Sequence, residues 1–367
     1  MAPYGGAGFF DFAVFNDLKN SKMNAGYVVP SGLGLTRDYY VDQDEDTKEK
    51  RAKYEAHIAR MFQYFGDTEE VAKENATRVL AYETGLATPR MTKEQTRDAR
   101  LLYNPKTIEE LAALTPTIDW DNYFEGLGIG AQENVIVMQP QYMEALETVF
   151  KTSSIDDIKL YLRWTAIDRS AGMLSTEIET ANWEFYSKEL RGAQQQRPRD
   201  ERALANLNGS IGEALGQLYV DKKFPPEAKA KAEEMIQNVM LGFENRINAL
   251  EWMDPSTKEK AIEKLRKMTV KIAYPDKWKD YSAMAVSSVE DGGTYFQNSL
   301  NIAKWNFEEN MGKLGKEVDR TEWGMSPQTV NAYFNPVNNE IVFPAAILQP
   351  PFYNYQADEA VNYGGIG

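Results

Sequence analysis

The sequence contains no cysteine and only one histidine, His57, among its 367 residues. The absence of cysteine excludes disulfide bonds, thiolate metal sites and cysteine nucleophiles. With a single imidazole, a Ser-His-Asp triad could be built only on His57, and a zinc site with two or three imidazoles cannot be built at all. The absence of cysteine and the single histidine restrict the chemistry that the residues of this sequence can perform by themselves.

Long apolar runs and basic charge are also scarce. No stretch of about 18 uninterrupted apolar residues occurs, so the sequence predicts no membrane span. Lysine and arginine number 41 against 55 aspartates and glutamates, which gives a formal net charge of -14. This balance argues against a nucleic-acid partner, whose phosphates require clustered basic side chains. The first residues lack the basic start and apolar core of a secretory leader, so we expect either an internal protein or a leader upstream of this sequence.

Helical periodicity dominates the pattern that remains. Apolar residues at helical spacing predict a helix from Asp46 to Phe65 and a long one from Pro226 to Trp252. Asp254 is the predicted N-cap of the helix that follows. Further helices are predicted at about 69–87, 92–103, 107–114, 139–150, 154–169, 174–191 and 198–218.

Strand patterns lie near the two ends of the chain. Two aromatic and β-branched runs flank a polar turn from Asn16 to Asn24 and predict a hairpin, followed by a Gly-rich loop around Gly32 and Gly34. Near the other end, "TVNAYF" and "EIVFP" flank the turn "NPVNN" and predict a second hairpin. The change of pattern after Met268 indicates a domain boundary there. The predicted fold class is mainly α with short β hairpins.

Three local features fit structural roles better than functional ones. Asp42, Asp44 and Asp46 have the spacing that opens a calcium loop, but the glycine and glutamate that such a loop needs are absent, so we expect an acidic first helical turn. "GLGIGA" follows a helix and precedes a strand, the reverse of a dinucleotide-binding context, and is predicted to be a connection. His57 lies beside the apolar face of its helix and is predicted to be a partly buried structural residue.

The closing stretch, from Val330 to Gly367, closely resembles the zinc metallopeptidases of the neprilysin and endothelin-converting enzyme family. Matching blocks are "VNAYFNPVNNEIVFPAAILQPPFYNYQADEAVNYGGIG", "KNSKMNAGYVVPSGLGLTRDYY", "GEALGQLYVDKKFP" and "LEWMDPSTKEKAIEKLRKM". The resemblance covers essentially the whole chain in the expected order. The lack of cysteine fits the bacterial branch of the family.

The resemblance implies a helical lobe that encloses a cavity, residues 1–268, and the first part of a zincin-like catalytic lobe, residues 269–367. In the family, the closing stretch leads directly into a Val-Ile-Gly-His-Glu-x-x-His segment, which this sequence does not contain. Zinc is therefore expected in the complete enzyme, whereas this chain by itself is expected to hold no catalytic zinc and no catalytic residue.

The resemblance also implies a wall that faces the substrate. An extended peptide can pair with the backbone of an edge strand, and "VNAYF" is such a strand in the family. Asn331 and Ala332 would hold the substrate backbone, and Tyr333 belongs to the same segment, with packing in the hairpin as its alternative role. Ile347 and Phe352 match positions that line the apolar pocket for the residue after the scissile bond, and core packing is the alternative for both.

The predicted function is accordingly that of a part of a zinc-dependent metalloendopeptidase that hydrolyses short peptides. The alternatives are a non-catalytic subunit and a module that binds peptides or a partner without cutting them. Expected partners are a peptide substrate and the complementary C-terminal catalytic portion, as a second chain or a missing segment. The expected location is the bacterial cell envelope, periplasmic or secreted, with the cytoplasm as the alternative.

Overall fold

A computed structural model of the protein describes residues 2–4 and 6–367. Within these residues the strands are β1 (Phe10–Asn16), β2 (Asn24–Pro30), β3 (Pro105–Thr107), β4 (Asn134–Val137), β5 (Thr269–Ala273), β6 (Tyr333–Asn335) and β7 (Glu340–Pro344). The α-helices are α1 (Arg37–Val41), α2 (Glu45–Tyr64), α3 (Glu69–Ala87), α4 (Ala99–Leu102), α5 (Ile108–Leu114), α6 (Trp120–Leu127), α7 (Pro140–Thr152), α8 (Ile155–Ser170), α9 (Thr176–Trp183), α10 (Arg199–Lys223), α11 (Pro226–Ala249), α12 (Pro255–Arg266), α13 (Tyr295–Met311) and α14 (Glu359–Gly365). The expected class, mainly α with short β hairpins, is confirmed.

The chain divides into two compact units whose limits differ from the expected boundary near residue 268. Unit 1 contains residues up to 196 together with 284–318, and unit 2 contains 197–283 together with 319–367. The chain therefore leaves unit 2 after β5 and returns to it before β6. The assignment of residues 1–268 and 269–367 to two lobes of an enzyme stays a prediction.

Unit 1 combines a four-stranded sheet with helices. The strand order is β1-β2-β4-β3, and β1 pairs antiparallel with β2 from Phe10 opposite Pro30 to Asn16 opposite Asn24, which confirms the first predicted hairpin. Large aromatic side chains fill the core, and Tyr54 and Trp164 are among those with almost no exposed surface. Burial of such side chains is the dominant source of stability in a domain of this kind.

His57 has the predicted structural role in this aromatic core, but it is more deeply buried than the sequence predicted. Its ring stacks on Phe185 at 4.9 Å between centroids, and neither ring nitrogen has a hydrogen-bond partner among the described residues. Burial, with a smaller contribution from Arg60, lowers its pKa to about 3. The imidazole is therefore neutral at physiological pH and contributes to packing.

A buried carboxylate fastens the Gly-rich loop to the helices of unit 1. Glu83 on α3 accepts hydrogen bonds from the hydroxyls of Tyr40 and Tyr54, both at 2.9 Å, and from the N–H of Gly34 at 3.4 Å. A Cβ atom on Gly34 would overlap the Tyr54 hydroxyl, so only glycine allows this approach. The loop is thus held by a carboxylate that is itself out of contact with water.

Unit 2 packs helices on a three-stranded sheet of order β5-β7-β6. Asp254 caps α12 by accepting a bond from the N–H of Thr257 at 3.0 Å, as the sequence predicted. The core joins side chains of α10 and α11 to residues around β5 and β7: Val220, Phe224, Ala228, Ala232, Met235, Ile236, Ile272, Ala273, Ala345, Leu348 and Tyr353. The second predicted hairpin is present, with β7 covering the predicted segment "EIVFP".

Three predicted segments differ from the structure in detail. The helix expected at 92–103 is a 3-10 turn, Gln95–Arg97, followed by α4, because Asp98 has extended dihedral angles and its carboxylate caps the N–H of Arg100 at 3.0 Å. The helix expected at 174–191 is α9 followed by a π-helix, Glu184–Glu189. The strand expected at "TVNAYF" begins only at Tyr333.

Glu83 should make the stability of unit 1 depend on pH. Burial raises its pKa from 4.5 to about 7, so between these values the folded chain keeps a proton that the unfolded chain has lost. Stability should therefore fall with rising pH in this window, by roughly 1 kcal/mol per pH unit from this group. We expect Glu83→Gln to remove that part of the slope in denaturant unfolding measured from pH 5 to pH 8.

The matched control is Glu70→Gln, which makes the same change at an exposed position in the first turn of α3. It should leave the pH slope as it is in the unaltered protein. Parallel pH profiles for Glu83→Gln and the unaltered chain would show that Glu83 does not titrate in this range.

Candidate functional site

Strand β6 forms one edge of the sheet in unit 2. It pairs antiparallel with the central strand β7, with Tyr333 opposite Val342 and Asn335 opposite Glu340. On its other side no strand pairs with it within the described part of the chain. The backbone N–H and C=O groups of an edge strand can pair with an added extended segment. This edge can therefore receive a peptide as a further strand.

Asn331 and Ala332 lie directly before β6, where the chain is not paired with β7. The side-chain oxygen of Asn331 accepts a bond from the N–H of Ala332 at 2.8 Å, and its own N–H donates to the carbonyl of Thr329 at 3.0 Å. These local bonds explain why the strand begins later than predicted. The side chain of Asn331 is exposed, and its Nδ2 donates no hydrogen bond to the described residues.

Tyr333 braces the edge strand against the preceding segment. Its hydroxyl accepts a hydrogen bond from the N–H of Gly324 at 2.8 Å, and a Cβ atom on Gly324 would lie 3.3 Å from the tyrosine ring. Burial raises the pKa of the hydroxyl, and the nearby Glu340 carboxylate adds to this rise. Tyr333 is thus half-buried and engaged within the fold, whereas Asn331 is exposed.

Ile347 and Phe352 lie on the segment that follows β7. Ile347 is half-buried and packs against the core of unit 2, and Phe352 is 42% exposed. Between them Leu348 is buried in the core, as is Tyr353 just beyond. No hydrogen bond or ring contact among the described residues joins this pair to Asn331, Ala332 or Tyr333. Their assignment to a substrate pocket stays a prediction.

A buried ion pair between β5 and β7, which the sequence analysis did not predict, lies close to the edge strand. Lys271 on β5 places its Nζ 2.7 Å from a carboxylate oxygen of Glu340 and 2.7 Å from the carbonyl oxygen of Glu322. The two side chains are only 9% and 3% exposed. The sequence feature that could have indicated this pair is a lysine placed between Val270 and Ile272 in a short strand.

The described residues contain no group of three or more histidine, cysteine, aspartate or glutamate side chains placed to hold a metal ion. In the same residues no helix is both long and apolar enough to cross a membrane.

Comparison with known proteins identifies the family. The models of peptidase family M13 match residues 1–275 and 331–367. The chain belongs to peptidase family M13. This confirms the resemblance that the closing stretch carries, and residues 331–367 are the part that matches the family's catalytic-domain model.

Individual relatives agree with this membership. The chain is 31% identical to human endothelin-converting enzyme 1, covering 100% of this chain and 49% of that protein. It is 30% identical to neprilysin-3 of Drosophila melanogaster, covering 98% of this chain and 47% of that protein. This M13 chain therefore spans about half the length of the curated relatives that it matches.

Solved structures support the fold. The zinc metalloprotease Zmp1 of Mycobacterium tuberculosis, in complex with an inhibitor, superposes with a TM-score of 0.91 at 38% identity and covers 99% of this chain and 55% of that one. PepO of Lactobacillus rhamnosis superposes with a TM-score of 0.88 at 22% identity, which supports the fold alone. The expected fold of an M13 zinc metalloprotease is thereby confirmed for the portion that this chain covers.

The brace made by Tyr333 can be tested by removing its hydroxyl. We expect Tyr333→Phe to leave the fold intact and to raise the hydrogen exchange rate of the Gly324 amide about fivefold, because a hydrogen bond of this kind contributes about 1 kcal/mol. Exchange followed by NMR or mass spectrometry measures the effect.

Tyr363→Phe is the matched control, since the Tyr363 hydroxyl accepts a solvent-exposed bond from the side chain of Asn238 and makes no hydrogen bond to Gly324 or β6 among the described residues. It should leave the Gly324 amide unchanged. Equal exchange at Gly324 in both variants would contradict the assignment of Tyr333 as a brace.

Proposed function

We propose that this chain forms the peptide-binding wall of a zinc-dependent M13 metalloendopeptidase that hydrolyses short peptides. The observation that carries the proposal is the edge strand β6, which lies beside the exposed Asn331. Its backbone groups bind the substrate as an added strand, and the amide of Asn331 donates to a substrate carbonyl. Membership of the family supports the reaction class.

Family membership implies a catalytic zinc ion, which would polarise the scissile carbonyl and activate water when bound. One histidine and no cysteine do not fit a catalytic zinc ligand set among the printed residues. The proposed role of this chain is therefore confined to holding and orienting the peptide. A complementary catalytic portion, joined to this chain or separate from it, belongs to the same proposal.

Location in a bacterial cell envelope, or secretion, is the remaining part of the proposal. Its bacterial part is supported by the 38% identity to a mycobacterial metalloprotease.

Asn331→Ala should weaken substrate use without unfolding the protein. The side chain is exposed, so its loss should cost little stability, whereas each bond that it makes to a substrate backbone contributes about 1–3 kcal/mol. We expect catalytic efficiency, kcat/KM, to fall roughly five- to hundredfold in the zinc-loaded enzyme that contains this chain. The fall should be similar for peptides with different side chains, because the contact is to the main chain.

Asn238→Ala provides the matched control. It makes the same substitution at an exposed asparagine of α11, whose side chain donates to the Tyr363 hydroxyl. Its kcat/KM should equal that of the unaltered enzyme. If Asn331→Ala behaves in the same way, the edge of β6 does not bind substrate.

Ile347→Ala should instead change selectivity. If Ile347 lines the pocket for the residue after the scissile bond, shortening it should reduce kcat/KM for a large apolar residue there by about tenfold. A peptide with alanine at that position should lose little, because it does not fill the pocket. Paired phenylalanine and alanine substrates measure this difference.

Val270→Ala controls for general loss of core packing, since Val270 packs against the same core from β5. It should affect both peptides equally. A uniform loss with Ile347→Ala would assign that side chain to the core alone.

A further inference from the structure

The buried pair of Lys271 and Glu340 requires an explanation beyond stability. Removing a lysine and a carboxylate from water is costly, and the attraction between them often only balances that cost. Buried ion pairs can frequently be replaced by apolar side chains with no loss of stability. The contacts of this pair are therefore better explained by the elements that they hold in place.

Lys271 is connected to the start of β6 through two hydrogen bonds. The Lys271 ammonium group donates to the carbonyl of Glu322 at 2.7 Å, which fixes the segment 322–324 to β5. Two residues later, the N–H of Gly324 donates to the Tyr333 hydroxyl at 2.8 Å. A charged group on β5 thereby sets the position of the first residue of the edge strand.

Glu340 lies next to the end of β6 and contacts the turn that follows it. Glu340, the first residue of β7, lies opposite Asn335, the last residue of β6. One of its carboxylate oxygens accepts from Lys271 at 2.7 Å, and the other accepts a longer bond, 3.4 Å, from the side chain of Asn338 in the turn. Both ends of this three-residue strand are thus connected to one ammonium group.

The directional nature of these bonds matters for a strand that must pair with a peptide. Apolar packing tolerates small shifts, whereas an ammonium group with two oxygen acceptors at 2.7 Å has a narrow range of positions. β6 has three residues, and within the described part of the chain β7 is the strand that pairs with it, so its own ladder constrains it weakly. A displacement of the strand by an ångström would misplace every backbone group offered to the substrate.

We propose that Lys271 and Glu340 are positioning residues for substrate binding: through Glu322, Gly324 and Tyr333 on one side and through the turn on the other, they hold β6 in the position that pairs with the peptide. This inference rests on the proposed function of β6. It assigns neither residue a contact with the substrate.

The test replaces both charges at once, with Lys271→Met and Glu340→Met in the same protein. This double variant leaves no unpaired buried charge and is expected to keep the unfolding midpoint of the unaltered chain or exceed it. The single variant Lys271→Met, which leaves Glu340 unpaired, should be the less stable of the two. The double variant therefore separates loss of positioning from loss of fold.

The first measurement is amide exchange in the chain itself, which does not depend on any enzymatic activity. We expect exchange at Gly324 and across 331–335 to rise about tenfold in the double variant, while the β1–β2 hairpin of unit 1 is unchanged. The matched control replaces Lys260 and Glu263, an exposed ion pair of α12, with methionine. It should leave exchange at β6 as it was.

The second measurement is kinetic and uses the zinc-loaded enzyme that contains this chain. We expect the double variant to raise KM about tenfold for peptides of different sequence and to change kcat by less than about threefold, because uniform backbone binding is lost. The proposal would be overturned if the double variant were as stable as the unaltered chain and its amide exchange at β6 were unchanged. An unchanged KM in the double variant, when Asn331→Ala does impair catalysis, would overturn it as well. If neither variant affects catalysis, the proposed function of β6 fails instead.

Discussion

The geometry of unit 2 depends on the double pairing of β7. This strand pairs in parallel with β5 and antiparallel with β6, so both of its edges are occupied within the sheet. Glu340, Val342 and Pro344 are buried, which places one face of the strand against the interior. Because both edges of β7 are occupied, β6 carries the unpaired backbone edge of this hairpin among the described residues. The candidate site follows from this constraint.

Local patterns were sufficient to predict the elements that local interactions stabilise. α3 has the expected limits, and Asp254 caps α12, because capping and apolar periodicity act within one or two turns. In the "GLGIGA" stretch, Gly126 and Leu127 are the last residues of α6, and the connection to β4 begins at Gly128, which lies in the left-handed region. Where the structure differs, the reason is a specific bond that periodicity does not report, as at Asp98, whose carboxylate interrupts the helix expected at 92–103.

The site was predictable only in part, for a related reason. Family resemblance indicated the segment from Asn331 to Tyr333 as a candidate site. Which of its residues are exposed and which are held within the fold depends on contacts between residues that are distant in sequence. Tyr333 bonds to Gly324, and the pair behind it joins residues 69 positions apart. A lysine in an apolar strand indicates a buried partner without naming it. The limits of the two units also depend on such contacts, since residues 284–318 belong with unit 1.

Hydrogen bonds hold the turn that follows β6, whereas Asn331, which precedes the strand, is exposed. This arrangement is consistent with the proposed role of β6 in binding a peptide. The turn after β6 is held from the side of β5, where the N–H of Thr269 donates to the carbonyl of Asn339 at 2.9 Å, and the Asn339 side chain donates to the carbonyl of Lys264 at 3.0 Å. The strand itself is fixed by β7 and by Tyr333. Asn331 lies just before β6 and is exposed, as are Val330 before it and Phe334 within the strand. For the proposed role, a strand that is already ordered in the folded chain is an advantage, because the ordering cost of the strand has been met before a peptide binds.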